Sequence, residues 1–278
     1  MNLILIPVYN DWESLNKLLL QINSVTDNKS PKKILIVDDF STIKMNIIKK
    51  KLNKIKSVEV LRLSKNLGSQ KAIAFALNYL NTKKNNFKFI TIIDGDGEDN
   101  PKGIKKMLSY TNDNKDRVVV SCRIDRIENF LIKFGYKIHL LLTAFLTGHW
   151  ISFGNFSCFH INNLKNILAD NSVWHAYSAA VIKNSKIKRI YASRAKRYYD
   201  KSQVKLSFLV GHSLRIIGVF YKRVVLFSIL FFCFIYFLNL VYSWIFYIII
   251  LTMNLFLAFM IMKSKIEANV SFKLLKIK

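Results

Sequence analysis

The stretch IIDGDGED, residues 92–99, sets four carboxylates, Asp94, Asp96, Glu98 and Asp99, directly behind an apolar run. The whole chain carries 17 acidic residues against 43 basic ones, so its scarce negative charge is gathered at one point. Crowded carboxylates repel one another unless a cation or a proton compensates them. Asp94 and Asp96 follow a strand and can face one point if the backbone bends between them, which Gly95 and Gly97 permit. Oxygen donors of this kind suit Mg2+ or Mn2+, and Mg2+ typically takes one or two carboxylates and finishes its shell with water and substrate phosphates. The stretch therefore reads as an Asp-X-Asp metal site, with Asp94 and Asp96 as ligands, that holds a diphosphate. A calcium loop of the EF-hand type needs Gly at its sixth position and Glu at its twelfth. Counted from Asp94 these are Asp99 and Lys105, which excludes that reading. Neither the dinucleotide nor the P-loop glycine pattern occurs. Taken alone, the stretch is equally compatible with an exposed acidic turn.

The elements that must position these residues show in the hydrophobic pattern. Apolar runs of strand length occur at 3–8, 33–38, 58–63, 89–94 and 117–122. Between them the spacing predicts helices over 12–22, 43–55 and 69–80; Trp12, Leu15, Leu18, Leu19 and Ile22 form one apolar face. Strands alternating with helices give βαβ units and a mostly parallel sheet with flanking helices, an α/β fold. Ligands bind such sheets beyond the carboxyl ends of the strands. PVYND ends the first strand, VDDFS the second and IDGDGED the fourth, so these three polar clusters are expected on one edge. Residues 126–146 read as helical. They are followed by GHWISFGNFSCF and by a basic tract over 185–205.

Residues 224–262 contain no charged side chain. A crossing helix needs about 20 apolar residues, so this run is long enough for two passes, turning near Asn239–Ser243. A soluble core helix would show a polar face, which this run lacks. Residues 204–221 alternate apolar and basic positions and read as an amphipathic helix in the membrane interface. Lys222 and Arg223 before the run, and Lys263 and Lys265 after it, put both ends on the cytoplasmic side of a bacterial inner membrane. The expected division is a domain over 1–203, an interfacial helix over 204–223, and a hairpin with a short basic tail over 224–278. The start lacks a signal peptide's basic region, and three scattered cysteines indicate reduced thiols. A net charge of +26 asks for an anionic surface. Anionic lipid headgroups meet that need more directly than nucleic acid, which would bring steep salt sensitivity. The five histidines have no zinc-like spacing.

Taken in order, PVYND, VDDFST, KNLGSQKAIAFAL and DGDGEDNP resemble the ordered motifs of family 2 glycosyltransferases of the GT-A fold. With an apolar C-terminal hairpin, the chain looks most like the polyprenyl-phosphate glycosyltransferases, relatives of dolichol-phosphate mannose synthase. The resemblance covers residues 1–125 well and 126–205 loosely. It implies that Pro7, Tyr9 and Asp11 line the nucleotide site, that Asp38 and Asp39 contact base and ribose, and that Lys71 and Asp94 join the nucleotide-sugar site. Asp94 and Asp96 match the family's DAD segment, which binds donor and metal, and Asp99 lies closest to the reaction. Arg197 is placed among the catalytic residues. Arg123, Arg126, Arg194, Lys201 and Ser202 would meet the acceptor phosphate. Phe40 stands where the family has Gly and Ile43 where it has Asp, and FGNFSCF replaces a segment that more often carries DFRL.

The chemistry implied is transfer of a sugar from a nucleotide sugar to a polyprenyl (undecaprenyl) phosphate, with Mg2+ or Mn2+ and inversion at the anomeric carbon. A phosphate oxygen is ionised at neutral pH and needs no strong general base, unlike a sugar hydroxyl. Two alternatives stay open: a glycan or glycolipid hydroxyl as acceptor, and a non-catalytic membrane scaffold. Self-association is left open as well.

Overall fold

The computed structural model describes residues 1–27, 32–48, 51–83, 86–123, 130–192, 195–199, 206–237, 243–263 and 270–278. The strands, in chain order, are β1 (Asn2–Val8), β2 (Lys32–Asp38), β3 (Ile55–Leu63), β4 (Phe89–Ile92), β5 (Arg117–Arg123), β6 (Phe153–His160), β7 (Lys186–Ala192) and β8 (Phe272–Lys276). The helices are α1 (Trp12–Val25), α2 (Ser69–Asn81), α3 (Gly103–Asp113), α4 (Phe130–Thr147), α5 (Asn163–Ile167), α6 (Tyr177–Asn184), α7 (Leu206–Val219), α8 (Tyr221–Phe237) and α9 (Ser243–Lys263).

The chain divides into two compact units. The first comprises Met1–Ile127, Ser152–Ser202 and Glu267–Lys278 and contains one sheet in the order β7-β5-β6-β4-β1-β2-β3-β8. β1 pairs in parallel with β2 and β4, β2 with β3, and β5 with β7. β6 runs antiparallel between β4 and β5, and β8 antiparallel along β3. Ile4 and Ile6 of β1 and Ile34 and Ile36 of β2 pack with Trp12, Leu15, Leu18, Leu19 and Ile22 of α1, the face expected from the spacing. The helix α2 lies against the same two strands. Central parallel strands covered on both sides need near-continuous apolar sequence, and all seven residues of β1 are buried.

The helix expected over 43–55 is not formed among the described residues. The segment runs beside α1 instead, held by asparagine side chains. Asn10 Oδ1 accepts the N–H groups of Thr42 (2.8 Å) and Ile43 (3.1 Å). Asn16 accepts Ile48 N–H at 3.0 Å and donates to Asn46 O at 2.8 Å, and Asn23 accepts Lys54 N–H at 2.9 Å. Side chains that satisfy the backbone in this way compete directly with helix formation. The apolar spacing remains useful, because Met45, Ile47 and Leu52 still reach the core.

Three strands lay outside the sequence expectation. In β6 small and polar residues interrupt the apolar run. β7 reads as a basic tract because alternate residues face solvent. β8, read as part of a basic tail, closes the β3 edge: Ser64 N–H donates to Ser271 O at 3.0 Å and Val58 N–H to Lys278 O at 3.1 Å. Phe272 meets Phe75 and Tyr79 of α2 edge to face, at 5.6 and 5.4 Å.

The second unit comprises Glu128–Ile151 and Gln203–Ile266. α7 and α8 meet at an 88° bend. α8 and α9 are joined by a hydrogen bond from Asn254 Nδ2 to Ser228 Oγ, 2.9 Å, and Phe227 stacks on Phe145 of α4 at 5.0 Å. Among the described residues no single helix is long and apolar enough to cross a membrane, so two full spans over 224–262 are not found. The expected turn falls largely at 238–242, outside the described residues.

Deleting residues 271–278 should uncover the β3 edge and lower stability by about 2–4 kcal/mol, since each backbone bond lost contributes about 0.5–1.5 kcal/mol. Urea unfolding of the full chain against the truncation measures this.

Candidate active site

Strand order changes direction at β1, with β2 on one side and β4 on the other, and ligands collect at such switch points. Pairing ends at Leu5↔Ile92 on one side and at Val8↔Asp38 on the other. Two bonds carry the chain just past the strands: Ile93 N–H to Leu5 O at 3.1 Å and Asp39 N–H to Val8 O at 2.9 Å. Pro7 is buried in β1. A Cβ added at Gly95 would lie 3.3 Å from Pro7 O, so the acidic loop passes close over the end of β1. The three polar clusters expected on one edge are thus gathered there.

Asp38 is fully buried and turns the chain by accepting Ser41 N–H at 2.8 Å, with Arg62 Nε 3.4 Å from its other oxygen. The carboxylate of Asp39 accepts the N–H groups of Leu67 (2.7 Å) and Gly68 (2.8 Å) at the start of α2. Burial nevertheless dominates, and its pKa is pushed up to about 6. Phe40 adopts φ 64°, the left-handed region. That explains why the family places Gly here, and the L side chain costs about 1–2 kcal/mol. The side chain of Ile43 is exposed; its N–H bonds Asn10, and its carbonyl accepts Trp12 Nε1–H at 3.1 Å. The loop is held through its backbone, whatever side chain stands at 43. Tyr9 is half exposed at this edge, whereas Asp11 caps α1 by accepting Ser14 N–H at 3.1 Å. Lys71 lies in the first turn of α2.

The acidic loop is stabilised from two sides. Asp94 Oδ1 accepts Asn155 Nδ2–H at 2.9 Å. Asp96 Oδ1 accepts Glu98 N–H at 3.0 Å, and its Oδ2 takes both Nη2 (2.8 Å) and Nε (3.2 Å) of Arg197. Glu98 lies 3.5 Å from the same guanidinium. The segment carrying Arg197 is tied to the loop by its backbone as well: Ala195 N–H donates to Glu98 O (2.9 Å) and Tyr198 N–H to Asp96 O (3.1 Å). Tyr198 lies over Gly97, whose φ is 86°; a Cβ there would fall inside the tyrosine ring. Burial, and then the Asp96 charge, push the Tyr198 hydroxyl up to about 12. It stays protonated and bonds Gln21, while Lys17 sits over its ring at 4.8 Å. Asp99 is half-buried on the same loop.

Among the described residues no group of three or more His, Cys, Asp or Glu is arranged to hold a metal ion. The donor set is two hard carboxylates on one turn, and that is enough for Mg2+ or Mn2+ when a diphosphate supplies further oxygens. Arg197 contributes one positive charge to a loop with four carboxylates. The residues therefore fit a divalent ion that binds together with a diphosphate. Arg126, Arg194, Lys201 and Ser202 lie outside the described residues; Arg123 ends β5. Asn155, which holds Asp94, and Gln70, which holds Asn155, had no place in the sequence expectation. Their signal was present all the same, since Asn155 is a polar residue among the apolar positions of FGNFSCF.

A mostly parallel α/β sheet with carboxylates at its switch point is the architecture of nucleotide-handling enzymes. The chain belongs to glycosyl transferase family 2, whose model matches residues 3–172. No curated protein sequence matches it significantly. Among solved structures it is similar to glucosyl-3-phosphoglycerate synthase from Mycobacterium tuberculosis, solved with Mn2+, UDP-glucose and phosphoglyceric acid. The TM-score is 0.56 at 14% identity, over 80% of this chain and 79% of that one. It is also similar to residues 1–349 of S. aureus TarS, solved with UDP-GlcNAc: TM-score 0.49 at 18% identity, over 79% of this chain and 66% of that one. It covers 39% of the longer TarS chain. At these identities the likeness concerns the fold.

Asp39 supplies a test by pH. A carboxyl group with a raised folded pKa binds its proton more readily when folded, so its stabilising contribution is present at low pH and is lost as pH rises from about 4 to about 6. Asp39→Asn should remove that part of the slope, while its overall stability falls at every pH because the amide nitrogen would face the N–H of Leu67 or Gly68. Denaturant melts at a series of pH values give the comparison.

Proposed function

We propose that this protein transfers a sugar from a nucleoside diphosphate sugar to a polyprenyl phosphate at a membrane surface. The observation that carries this reading is the gathering of Asp39, Asp94, Asp96 and Arg197 around one edge of the sheet, with Arg197 Nη2 2.8 Å from Asp96. The resemblance places Asp38 and Asp39 at base and ribose; fully buried, Asp38 fixes the turn after β2 that carries this part of the site. Asp94 and Asp96 would hold a divalent ion, which when bound offsets charge on the diphosphate leaving group. Arg197, which holds Asp96 in the absence of a cation, would give up part of that contact to the ion and place its positive charge beside the diphosphate, where it offsets charge developing on the leaving group. An ionised phosphate acceptor attacks without a base, so Asp99, which the resemblance places closest to the reaction, is not needed as one. Glucosyl-3-phosphoglycerate synthase, solved with Mn2+ and UDP-glucose, lends the donor class and the ion by analogy of fold.

Membrane attachment is the second half of the reading. The helices α8 and α9 expose Leu226, Ile229, Leu230, Phe234 and Phe237, and Ile248, Ile249, Leu251, Leu255 and Phe259. Soluble monomers rarely expose apolar patches beyond a few hundred Å². Basic residues near the apolar helices would add about 1 kcal/mol each at an anionic surface. The site would then face the cytoplasm.

Membranes containing the protein, incubated with labelled nucleotide sugars and undecaprenyl phosphate, should form a labelled lipid only with Mg2+ or Mn2+. Asp96→Asn should reduce that product by about a hundredfold or more without unfolding the domain, although the lost contact with Arg197 lowers its stability. Label found only on a hydroxyl acceptor, or none from any common donor, would refute the lipid-phosphate reading. In liposome flotation the protein should stay with anionic vesicles at high salt. Release at high salt would mean that charge alone holds it there.

A further inference from the structure

We propose that Gln70 and Asn155 are positioning residues: a directional pair of amides that orients the Asp94 carboxylate and thereby sets how tightly the site holds a diphosphate with its cation. The inference rests on the function proposed above and extends it to residues behind the carboxylate. Three bonds form the path. Tyr177 N–H donates to Gln70 Oε1 at 2.9 Å, Gln70 Nε2–H donates to Asn155 Oδ1 at 3.0 Å, and Asn155 Nδ2–H donates to Asp94 Oδ1 at 2.9 Å.

The direction of this path follows from chemistry. A backbone N–H can only donate, so Gln70 must turn its oxygen toward Tyr177. Its nitrogen then faces Asn155, whose oxygen must accept. The Asn155 nitrogen is left to face Asp94, an acceptor when ionised. One main-chain group thus decides the orientation of both amides. The anchor is itself fixed. The Tyr177 side chain is fully buried, with its hydroxyl 2.7 Å from Ser157 Oγ. Ser157 donates to Asn155 O at 3.0 Å, so the tyrosine donates to the serine. Asn155 is 8% exposed, on β6 beside β4. A buried amide there is costly unless all its bonds are made, and an apolar residue would fill the place more cheaply. α2, α6 and β6 thus contribute one group each to the orientation of a carboxylate at the end of β4.

Two substitutions at Gln70, which is only partly buried, separate orientation from packing. Gln70→Glu keeps size and shape and still accepts from Tyr177 N–H, but its second oxygen cannot donate. Asn155 must then turn its nitrogen to residue 70 and its oxygen to Asp94. Gln70→Leu removes both bonds yet leaves Asn155 free to donate to Asp94. The usual order of severity should therefore invert. Isothermal titration of the full chain with UDP and Mn2+ should show Gln70→Glu weakened about tenfold or more, as expected for loss of a bond to a charged group. Gln70→Leu should lose clearly less, while thermal melting ranks Gln70→Glu as the more stable. A through-space effect of the new charge is separated by a double-mutant cycle. In an Asn155→Ala background, Gln70→Glu should no longer matter.

A Gln70→Leu weaker than Gln70→Glu, or an undiminished loss for Gln70→Glu without Asn155, overturns the inference and leaves the proposed function standing. If Asn155→Ala does not fold, the order of the two Gln70 variants decides. Failure of the wild-type chain to bind UDP, GDP, CDP or dTDP with Mn2+ overturns both.

Discussion

Negative charge placed where a parallel sheet ends has to be balanced, and the contact between Asp96 and Arg197 is where this protein balances it. β1 and β4 part after Leu5↔Ile92, and the chain leaving β4 becomes the acidic loop. Without a cation its carboxylates would drive one another apart. The guanidinium of Arg197 lies against Asp96 and Glu98, and the backbone of residues 195–198 bonds to the same loop. A residue about a hundred positions away in sequence thus helps to shape the turn. In the proposed function a divalent ion would take the oxygens that Arg197 holds, so these contacts would redistribute when the donor binds.

Side-chain amides recur wherever the backbone leaves regular structure. Asn10, Asn16 and Asn23 hold the segment after β2 along α1, and Gln70 and Asn155 hold Asp94. An amide both donates and accepts, so it can complete a loop's hydrogen bonds without adding charge. In a chain of net charge +26, such neutral fasteners shape the surroundings of the acidic site without weakening its field.

Much of this was legible in the sequence. The first five strands and the helices α1 and α2 follow from periodicity, because a central parallel sheet leaves an unambiguous apolar pattern. The convergence of PVYND, VDDFS and IDGDGED follows from the rule for strand ends. The segment 43–55 was misread because its apolar spacing suits a helix, while the groups that prevent a helix, Asn10, Asn16 and Asn23, lie on another element. β7 and β8 went unseen because edge strands are half wet and need no continuous apolar run. The link between Arg197 and Asp96 is tertiary and leaves no local trace; only the resemblance pointed to Arg197. Phe40 shows the converse: its positive φ explains the family's glycine and makes the departure a strained one.

The strand β8 has one more consequence. It belongs to the same sheet as the strands that precede the apolar helices, so the chain leaves that body before residue 206 and is back in it by residue 272. Whatever path it takes between is a round trip. If it enters a bilayer, the number of complete traversals has even parity, zero or two, and a single crossing would tear the last strand from its neighbour.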